Sequence, residues 1–455
     1  MSRLVAVSNR VSSVRGAPLA GGLAVALVDA LRENQGLWFG WSGKTVDETS
    51  QTPTLTREGE VTLATVDLTH DDHEAYYSGF ANRCLWPLFH FRLDLTGYDR
   101  GHFDAYQRVN QRFARSLLPL LREDDLVWVH DYHLFPLGSE LRRIGVRQRL
   151  GFFLHIPFPP RELLTTLPQH QTLVRALFDY DLVGFQIEDD VKRLAAYVEQ
   201  DLGGKVGPGW MEAFGKRLRI EAFPVGIDTA RYHDFAFSSH GQREWIRLRE
   251  FLRGREQIIG VDRLDYTKGL VRRMNAYELL LDSQPDSHGR ITYLQIAPIS
   301  RGEVTAYQDF RRELEQHAAG INGKFGQVDW VPIRYVNEAI PRRRLAGLYR
   351  ASRIGLVTPM RDGMNLVAKE YVAAQDEKDP GVLVLSRFAG AAQQMGEALL
   401  VNPYDTEDVA SALERARTMN IDERRNRHQA LMRGLLDEDV SNWRQRFLGA
   451  LKQND

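Results

Sequence analysis

The feature that most constrains this chain is a repeated alternation of short, unbroken apolar runs with longer amphipathic stretches. The apolar runs fall at residues 3–7, 126–129, 150–155, 258–261, 291–297, 354–357 and 382–385. Each is too short for a helix and lacks polar alternation, which is how strands buried on both faces of a parallel sheet read. Amphipathic stretches lie between many of them, at 103–121, 163–178, 189–202, 271–281 and 303–319. Strand–helix alternation of this kind predicts an α/β chain with doubly wound sheets.

The pattern runs twice. One series ends near 218–224, a second opens at 257–261, and a polar, charged segment at 226–256 separates them. The junction is placed there, giving Rossmann-like domains at 1–225 and 226–437. A chain of 455 residues suits two or three domains rather than one. The stretch 422–451 reads as helices with Arg and Glu faces. The last of these, near 438–455, could pack back on either half and is assigned to the first. Two open α/β domains usually face each other across a central cleft, with ligands outside the carboxyl ends of the strands. The polar residues just after each strand therefore matter most.

Composition narrows the function classes. Lys and Arg total 59 against 60 Asp and Glu, a formal net charge of −1. That balance gives no bulk electrostatic case for nucleic acid or an anionic membrane. The single cysteine, Cys84, excludes an intrachain disulfide and any multi-cysteine metal site. No window approaches ~18 uninterrupted apolar residues, and no signal-peptide core follows the start. A cytoplasmic enzyme of metabolism is the expectation.

The most informative segment is Pro359-Met360-Arg361-Asp362-Gly363-Met364-Asn365-Leu366-Val367-Ala368-Lys369-Glu370. A buried run ends, a Gly-containing turn follows, and a helix begins near Leu366. Free N–H groups and the positive end of the helix dipole suit such a turn to a pyrophosphate. Glu370 is placed to accept from ribose hydroxyls. A tight strand–helix turn with a solvated Glu fits the spacing equally well. In Asp262-Arg263-Leu264-Asp265-Tyr266-Thr267-Lys268-Gly269, two cations follow a strand end. The planar fork of Arg263 and the point charge of Lys268 can hold different oxygens of a diphosphate leaving group. Two surface cations on a loop are the plain alternative.

In the first half, Ser8-Asn9-Arg10 ends a strand and Gly21-Gly22 precedes a helix over 23–31. Backbone could approach a ligand closely at those glycines, although a plain turn explains them too. His130-Asp131-Tyr132-His133 closes one strand and His155 another. Asp131 and His155 are thus placed for acid/base or hydrogen-bonding work on a polar substrate, while His130 and His133 also read as packing residues. They lack a third ligand at a recognisable spacing, so zinc is rejected. No His-Glu-x-x-His or Gly-x-Ser-x-Gly motif is present, which counts against zincin proteases and α/β-hydrolases. Aromatic residues gather in Trp38-Phe39-Gly40-Trp41 and at Tyr76, Tyr77 and Trp86. They could face sugar rings, but core packing is the base expectation for Trp38 and Phe39. Arg342-Arg343-Arg344 reads as a solvated helix face.

Several motifs follow one another in a specific order. They are Ser8-Asn9-Arg10, Gly21-Gly22-Leu23, Gly36-Leu37-Trp38-Phe39-Gly40-Trp41-Ser42-Gly43, Leu85-Trp86-Pro87 and Trp128-Val129-His130-Asp131-Tyr132-His133. After them come Phe152-Phe153-Leu154-His155-Ile156-Pro157-Phe158-Pro159, Arg263-Leu264-Asp265-Tyr266, Ser300-Arg301-Gly302 and the run 362–375. In this order the chain resembles, end to end, the trehalose-6-phosphate synthase family, retaining family 20 glycosyltransferases of the bacterial OtsA type.

The resemblance implies a GT-B fold whose C-terminal half binds UDP-glucose. Arg263 and Lys268 would hold the diphosphate. Asp362, Gly363, Met364, Asn365, Leu366 and Val367 would line donor sugar and phosphates, with Glu370 on the ribose and the main chain of Ile340 at the base. Gly22 and Leu23 would contact the donor from the N-terminal side, and His155 would position its sugar. Glucose 6-phosphate would meet Arg10, Tyr77 and Arg301 at its phosphate, Asp131 at a hydroxyl, and Trp86 beside its anomeric position. The implied product is α,α-linked, with retention by front-face attack in which the UDP phosphate assists deprotonation. Asp131 as nucleophile in a double displacement is the alternative mechanism. No metal or other cofactor, nucleic acid or membrane is implied. A homodimer or homotetramer and a separate downstream phosphatase are, with no phosphatase domain fused to this chain. The segment 11–19 is not matched and is read as an acceptor-side loop. Pro160-Arg161-Glu162 and the stretch 203–214 also look particular to this chain. Other readings are a relative using glycerol 3-phosphate or ADP- or GDP-glucose, and a catalytically silent sugar-phosphate sensor. The retained Arg263, Lys268, Asp362 and Glu370 argue against the last.

Overall fold

A computed structural model describes residues 2–13, 22–299 and 305–453, with backbone alone at 22–26 and 305–306. The chain divides into two compact units. Unit 1 is Met1–Pro224 with Trp443–Asp455, and unit 2 is Val225–Asn442. The charged segment 226–256 is not a linker. It forms two helices of unit 2, Thr229–Phe237 and Ser239–Leu252, capped by Asp228 and Ser238. Its charges lie on helix faces, which a reading of composition alone takes for a junction.

Unit 1 carries strands β1 (Leu4–Arg10), β2 (Leu37–Val46), β3 (Thr54–Glu58), β4 (Val61–Thr69), β5 (Leu126–His130), β6 (Arg149–Phe153), β7 (Leu182–Phe185), β8 (Lys205–Gly207), β9 (Trp210–Ala213) and β10 (Lys216–Ala222). They form one sheet in the order β3-β4-β2-β1-β5-β6-β7-β10-β9-β8. Antiparallel pairs are confined to the two edges, β3/β4 and β10/β9/β8. Every residue of β5 is buried, as are the first five of β1, because both strands have parallel neighbours on each side. The chain winds from β1 outward to β2 and β4. It then restarts at β5 and winds the other way, so the winding reverses between β1 and β5.

The amphipathic stretch 163–178 is two helices, Arg161–Leu164 and His170–Leu177, with Pro168 in the break. Proline removes a helical donor and clashes with the preceding turn. The C-terminal helix Val440–Lys452 brings Trp443 and Phe447 onto Trp128, with ring centroids 4.9 Å and 4.6 Å away.

Unit 2 carries β11 (Glu256–Val261), β12 (Ile291–Ile296), β13 (Ile333–Val336), β14 (Ile354–Val357), β15 (Val382–Ser386) and β16 (Leu399–Val401). All pair in parallel, in the order β13-β12-β11-β14-β15-β16. Winding reverses here between β11 and β14. Ile258, Tyr277, Leu314, Ile354 and Val384 belong to one core under this sheet. The expected fold class, α/β with two Rossmann-like doubly wound sheets, is borne out. No helix among the described residues is long and apolar enough to cross a membrane.

Candidate active site

In each unit, most of the sequence-selected residues follow the strands that flank the winding reversal, where an open α/β sheet leaves room for a ligand. In unit 2, Arg263 and Lys268 follow β11, while Asp362 to Glu370 follow β14. Ile340 follows β13, two strands away.

The two central loops of unit 2 are tied together. The Met360 N–H donates to the Thr267 carbonyl at 2.8 Å. Lys268 Nζ donates to Asp362 Oδ2 at 2.5 Å, and Asn365 Nδ2 donates to the same oxygen at 3.0 Å. An ammonium has three donors, so Lys268 keeps capacity for a ligand while bound to Asp362. Gly269 turns with φ +68°, and a Cβ there would stand 2.5 Å from the Thr358 carbonyl oxygen. Only glycine suits both the angle and the approach.

Asn365 itself has φ 77° and caps the helix Leu366–Ala373, its Oδ1 accepting from the Ala368 N–H at 3.3 Å. The left-handed conformation is costly for most side chains and tolerable for Asn. Strain of this kind clusters at ligand sites. Gly363 and Met364 are buried, whereas Leu366 and Val367 are half-buried. Arg263 is exposed.

Two supporting arginines were not singled out by their sequence context as site residues. Arg273, fully buried, pairs with Asp262 and donates to Thr358 Oγ1 at 2.9 Å and to the Lys268 carbonyl at 3.0 Å. It braces both central loops from behind, while burial raises the Asp262 carboxyl above its ordinary range. Arg342 donates to Glu370 Oε1 at 2.7 Å and lies over the Tyr232 ring, 5.3 Å from its centroid. The Arg342-Arg343-Arg344 run is thus not merely a solvated face. A cation at the start of a helix, opposite an acidic residue 28 positions later, leaves no local signal.

In unit 1, Arg10 ends β1, Asp131 follows β5 and His155 follows β6. Asp131 has φ 76°, another strained position, and its Oδ1 accepts from the His155 N–H at 3.3 Å. His155 Nε2 lies 3.1 Å from His130 Nδ1, and Gln186 Nε2 lies 3.5 Å from His155 Nδ1. If the Gln186 amide donates, His155 carries its proton on Nε2 and donates to His130. Burial holds both rings neutral, pushing His155 down to about 3 and His130 well below the ordinary histidine range.

Tyr77 lies in a π-helix, His73–Leu85, which runs into the short helix Trp86–Phe89. π-Helical turns are rare and collect at functional sites. The Tyr77 ring stacks on His133 at 5.8 Å and on His73 at 5.3 Å, and it packs against Trp41 at 5.8 Å. The Arg10 guanidinium sits 5.7 Å from the Trp41 ring centroid. Arg10 and Tyr77 thus both pack on the Trp41 ring. Trp86 is buried to 4 % exposure, packed on His90 and Tyr132.

Ser8 and Asn9 are structural. Ser8 Oγ accepts from the Trp38 indole at 2.8 Å, and Asn9 Oδ1 from the Tyr76 hydroxyl at 2.7 Å. Trp38 and Phe39 are core. Arg301, Ser300, Gly302, Gly21 and residues 14–19 lie outside the described residues; Gly22 and Leu23 open the helix Gly22–Glu33. Among the described residues no group of three or more His, Cys, Asp or Glu is placed to hold a metal ion.

Comparison with known proteins agrees with this arrangement. The model of glycosyltransferase family 20 matches residues 7–453. The trehalose-6-phosphate synthase of Sinorhizobium fredii is 50% identical over 456 residues, covering 99% of this chain and 98% of its own length. A UDP-forming α,α-trehalose-phosphate synthase from Burkholderia xenovorans, solved with glucose-6-phosphate, has a TM-score of 0.97 at 47% identity, over 99% of this chain and 100% of that one. An E. coli structure bound with UDP-2-fluoro glucose has a TM-score of 0.95 at 48% identity, over 100% of both chains. With its strand order, its two winding reversals and a family match across nearly its whole length, the chain belongs to glycosyltransferase family 20.

Proposed function

We propose that the chain transfers glucose from UDP-glucose to glucose 6-phosphate with retention, giving α,α-trehalose 6-phosphate and UDP. The observation that carries this reading is the unit 2 corner where Lys268 and Asn365 meet on Asp362 at a helix start, in a family 20 chain. Relatives at about half identity are trehalose-6-phosphate synthases.

Glucosyl transfer passes through an oxocarbenium-like state while charge builds on the departing UDP. Arg263, Lys268 and the free N–H groups at the start of Leu366–Ala373 stabilise that charge, with no metal required. Glu370, oriented by Arg342, takes the ribose, and Ile340 offers its main chain to the base. Arg10, Tyr77 and Arg301 hold the acceptor phosphate, Asp131 holds an acceptor hydroxyl, and Trp86 walls the acceptor. Attack comes from the face UDP leaves, and a phosphate oxygen of UDP takes the acceptor proton. A phosphatase is the reaction class that would consume the product, and the proposed place of the reaction is the cytoplasm.

The test is a product assay with UDP-glucose, glucose 6-phosphate and EDTA. An α,α-linked disaccharide phosphate, identified by NMR, is expected. UDP release that ignores glucose 6-phosphate and responds to glycerol 3-phosphate would move the acceptor. No release from UDP-, ADP- or GDP-glucose would overturn the transferase reading.

A further inference from the structure

Lys369 is one of the most deeply buried cationic side chains among the described residues of unit 2, at 0% exposure. It stands on the helix Leu366–Ala373, one residue before Glu370. Its Nζ donates to the Val225 carbonyl at 2.8 Å and to Gln394 Oε1 at 2.6 Å. Burial pushes the ammonium down to about 7, against the opposing pull of Glu438. Two acceptors suit even a neutral amine, which still has two N–H donors, so the contacts survive loss of the charge.

Both partners occupy telling positions. Val225 is the first residue of unit 2, where the chain arrives from Pro224. The next residue, Gly226, touches the segment by which the chain leaves the unit: a Cβ on Gly226 would stand 2.3 Å from the Glu438 carbonyl oxygen. The Val440 N–H donates to the Ile227 carbonyl at 3.1 Å, so arriving and departing segments are hydrogen-bonded side by side. Gln394 closes the turn Gly390–Gln393, whose backbone braces the donor loop. Within that turn the Gly390 N–H donates to the Asp362 carbonyl at 3.1 Å and the Ala391 N–H to the Met364 carbonyl at 2.8 Å. One amine thus joins the donor helix, the turn behind the donor loop and the chain crossing, three segments far apart in sequence.

We propose that Lys369 is a positioning residue that clasps the donor-binding helix to the crossing segment and so holds Asn365 and Glu370 in register for the nucleotide sugar. The proposal rests on the donor reading given above. A lysine needed only for packing would alter the yield of folded protein. A clasp also changes how tightly the folded protein holds the donor.

The test uses Lys369→Met, Gln394→Ala and Gln394→Glu in the full chain. Readouts are steady-state kinetics, calorimetric titration with UDP alone, and amide exchange over residues 366–373 without ligand. Losing two buried hydrogen bonds is expected to raise KM for UDP-glucose and the UDP Kd about 10-fold in Lys369→Met. KM for glucose 6-phosphate should stay within about two-fold, and exchange over 366–373 should quicken. Gln394→Ala should move the same quantities about 3-fold, while Gln394→Glu, which keeps an acceptor, should match the wild type. Should Lys369→Met not fold, the Gln394 pair decides. Unchanged exchange overturns the clasp; faster exchange with unchanged UDP affinity overturns its role in donor positioning. A wild-type protein that binds no UDP overturns the donor reading and the proposal with it.

Discussion

At the winding reversal of unit 1, the groups beyond the strands are aromatic rings, neutral imidazoles, one exposed arginine and a strained carboxylate. At that of unit 2 they are cations held by carboxylates, a buried Arg273–Asp262 pair and a capped helix start. The same topological position therefore presents two different sets of groups. A polyanion needs donors and positive charge that are already oriented before it arrives. A sugar offers ring faces and hydroxyls, which stacked aromatics and neutral hydrogen-bonding groups match without paying for buried charge.

The contrast breaks most visibly at Arg263. Arg263→Ala should lower kcat/KM by about 1000-fold, the loss expected when one donor to a developing anion is removed. Its thermal midpoint should stay near the wild-type value, because Arg263 is exposed. Near-normal turnover in the folded variant would show that unit 2 does not stabilise the leaving group through this cation. A smaller effect is expected in unit 1. Asn has the same shape as Asp, bears the same backbone strain and can still accept from the His155 N–H, so Asp131→Asn should leave stability unchanged. Its activity should fall about 100-fold if the carboxylate charge takes part in transfer. Equal losses in melting temperature and activity would mean that the strain at Asp131 serves the fold alone.

The gentlest effect concerns pH. His130 and His155 stay neutral in the fold, whereas an unfolded histidine takes a proton below about 6.5. The unfolded chain then binds more protons than the folded one, so stability falls as pH drops below about 6.5, and for His155 the decline continues to about 3. Urea midpoints at pH 7.5 and 5.5 should differ less in His130→Gln than in the wild type. A difference as large in both would place the acid lability elsewhere, outside the neutral cluster that sets unit 1 apart.

Much of this was legible without coordinates. The run 354–357 is β14 to the residue, 126–129 is β5 less its last residue, and 382–385 is β15 less its last. Buried parallel strands announce themselves by unbroken apolar runs. The strand β2 was harder to see, since its aromatic motif reads as a cluster and its second half is half-exposed. The short strands β8 and β9, each three or four residues of mixed character, carry no usable period. Helix ends shifted where capping residues decided them, as at Asp99, whose side chain starts Arg100–Leu117 three residues before the apolar pattern begins.

The sequence by itself determined which segments become strands and helices, and which polar residues stand at the strand ends. Those are local properties, set by side-chain period, turn residues and caps within a few positions. The tertiary structure alone decided that β1 lies beside β5 and β11 beside β14, and so which loops share a site. It also decided that Lys268 meets Asp362, that Arg342 meets Glu370, and that Lys369 reaches Val225, 144 residues away. Each of those pairings depends on the order in which strands pack. That order is fixed by burial of whole faces against one another, a long-range balance that no local spacing records.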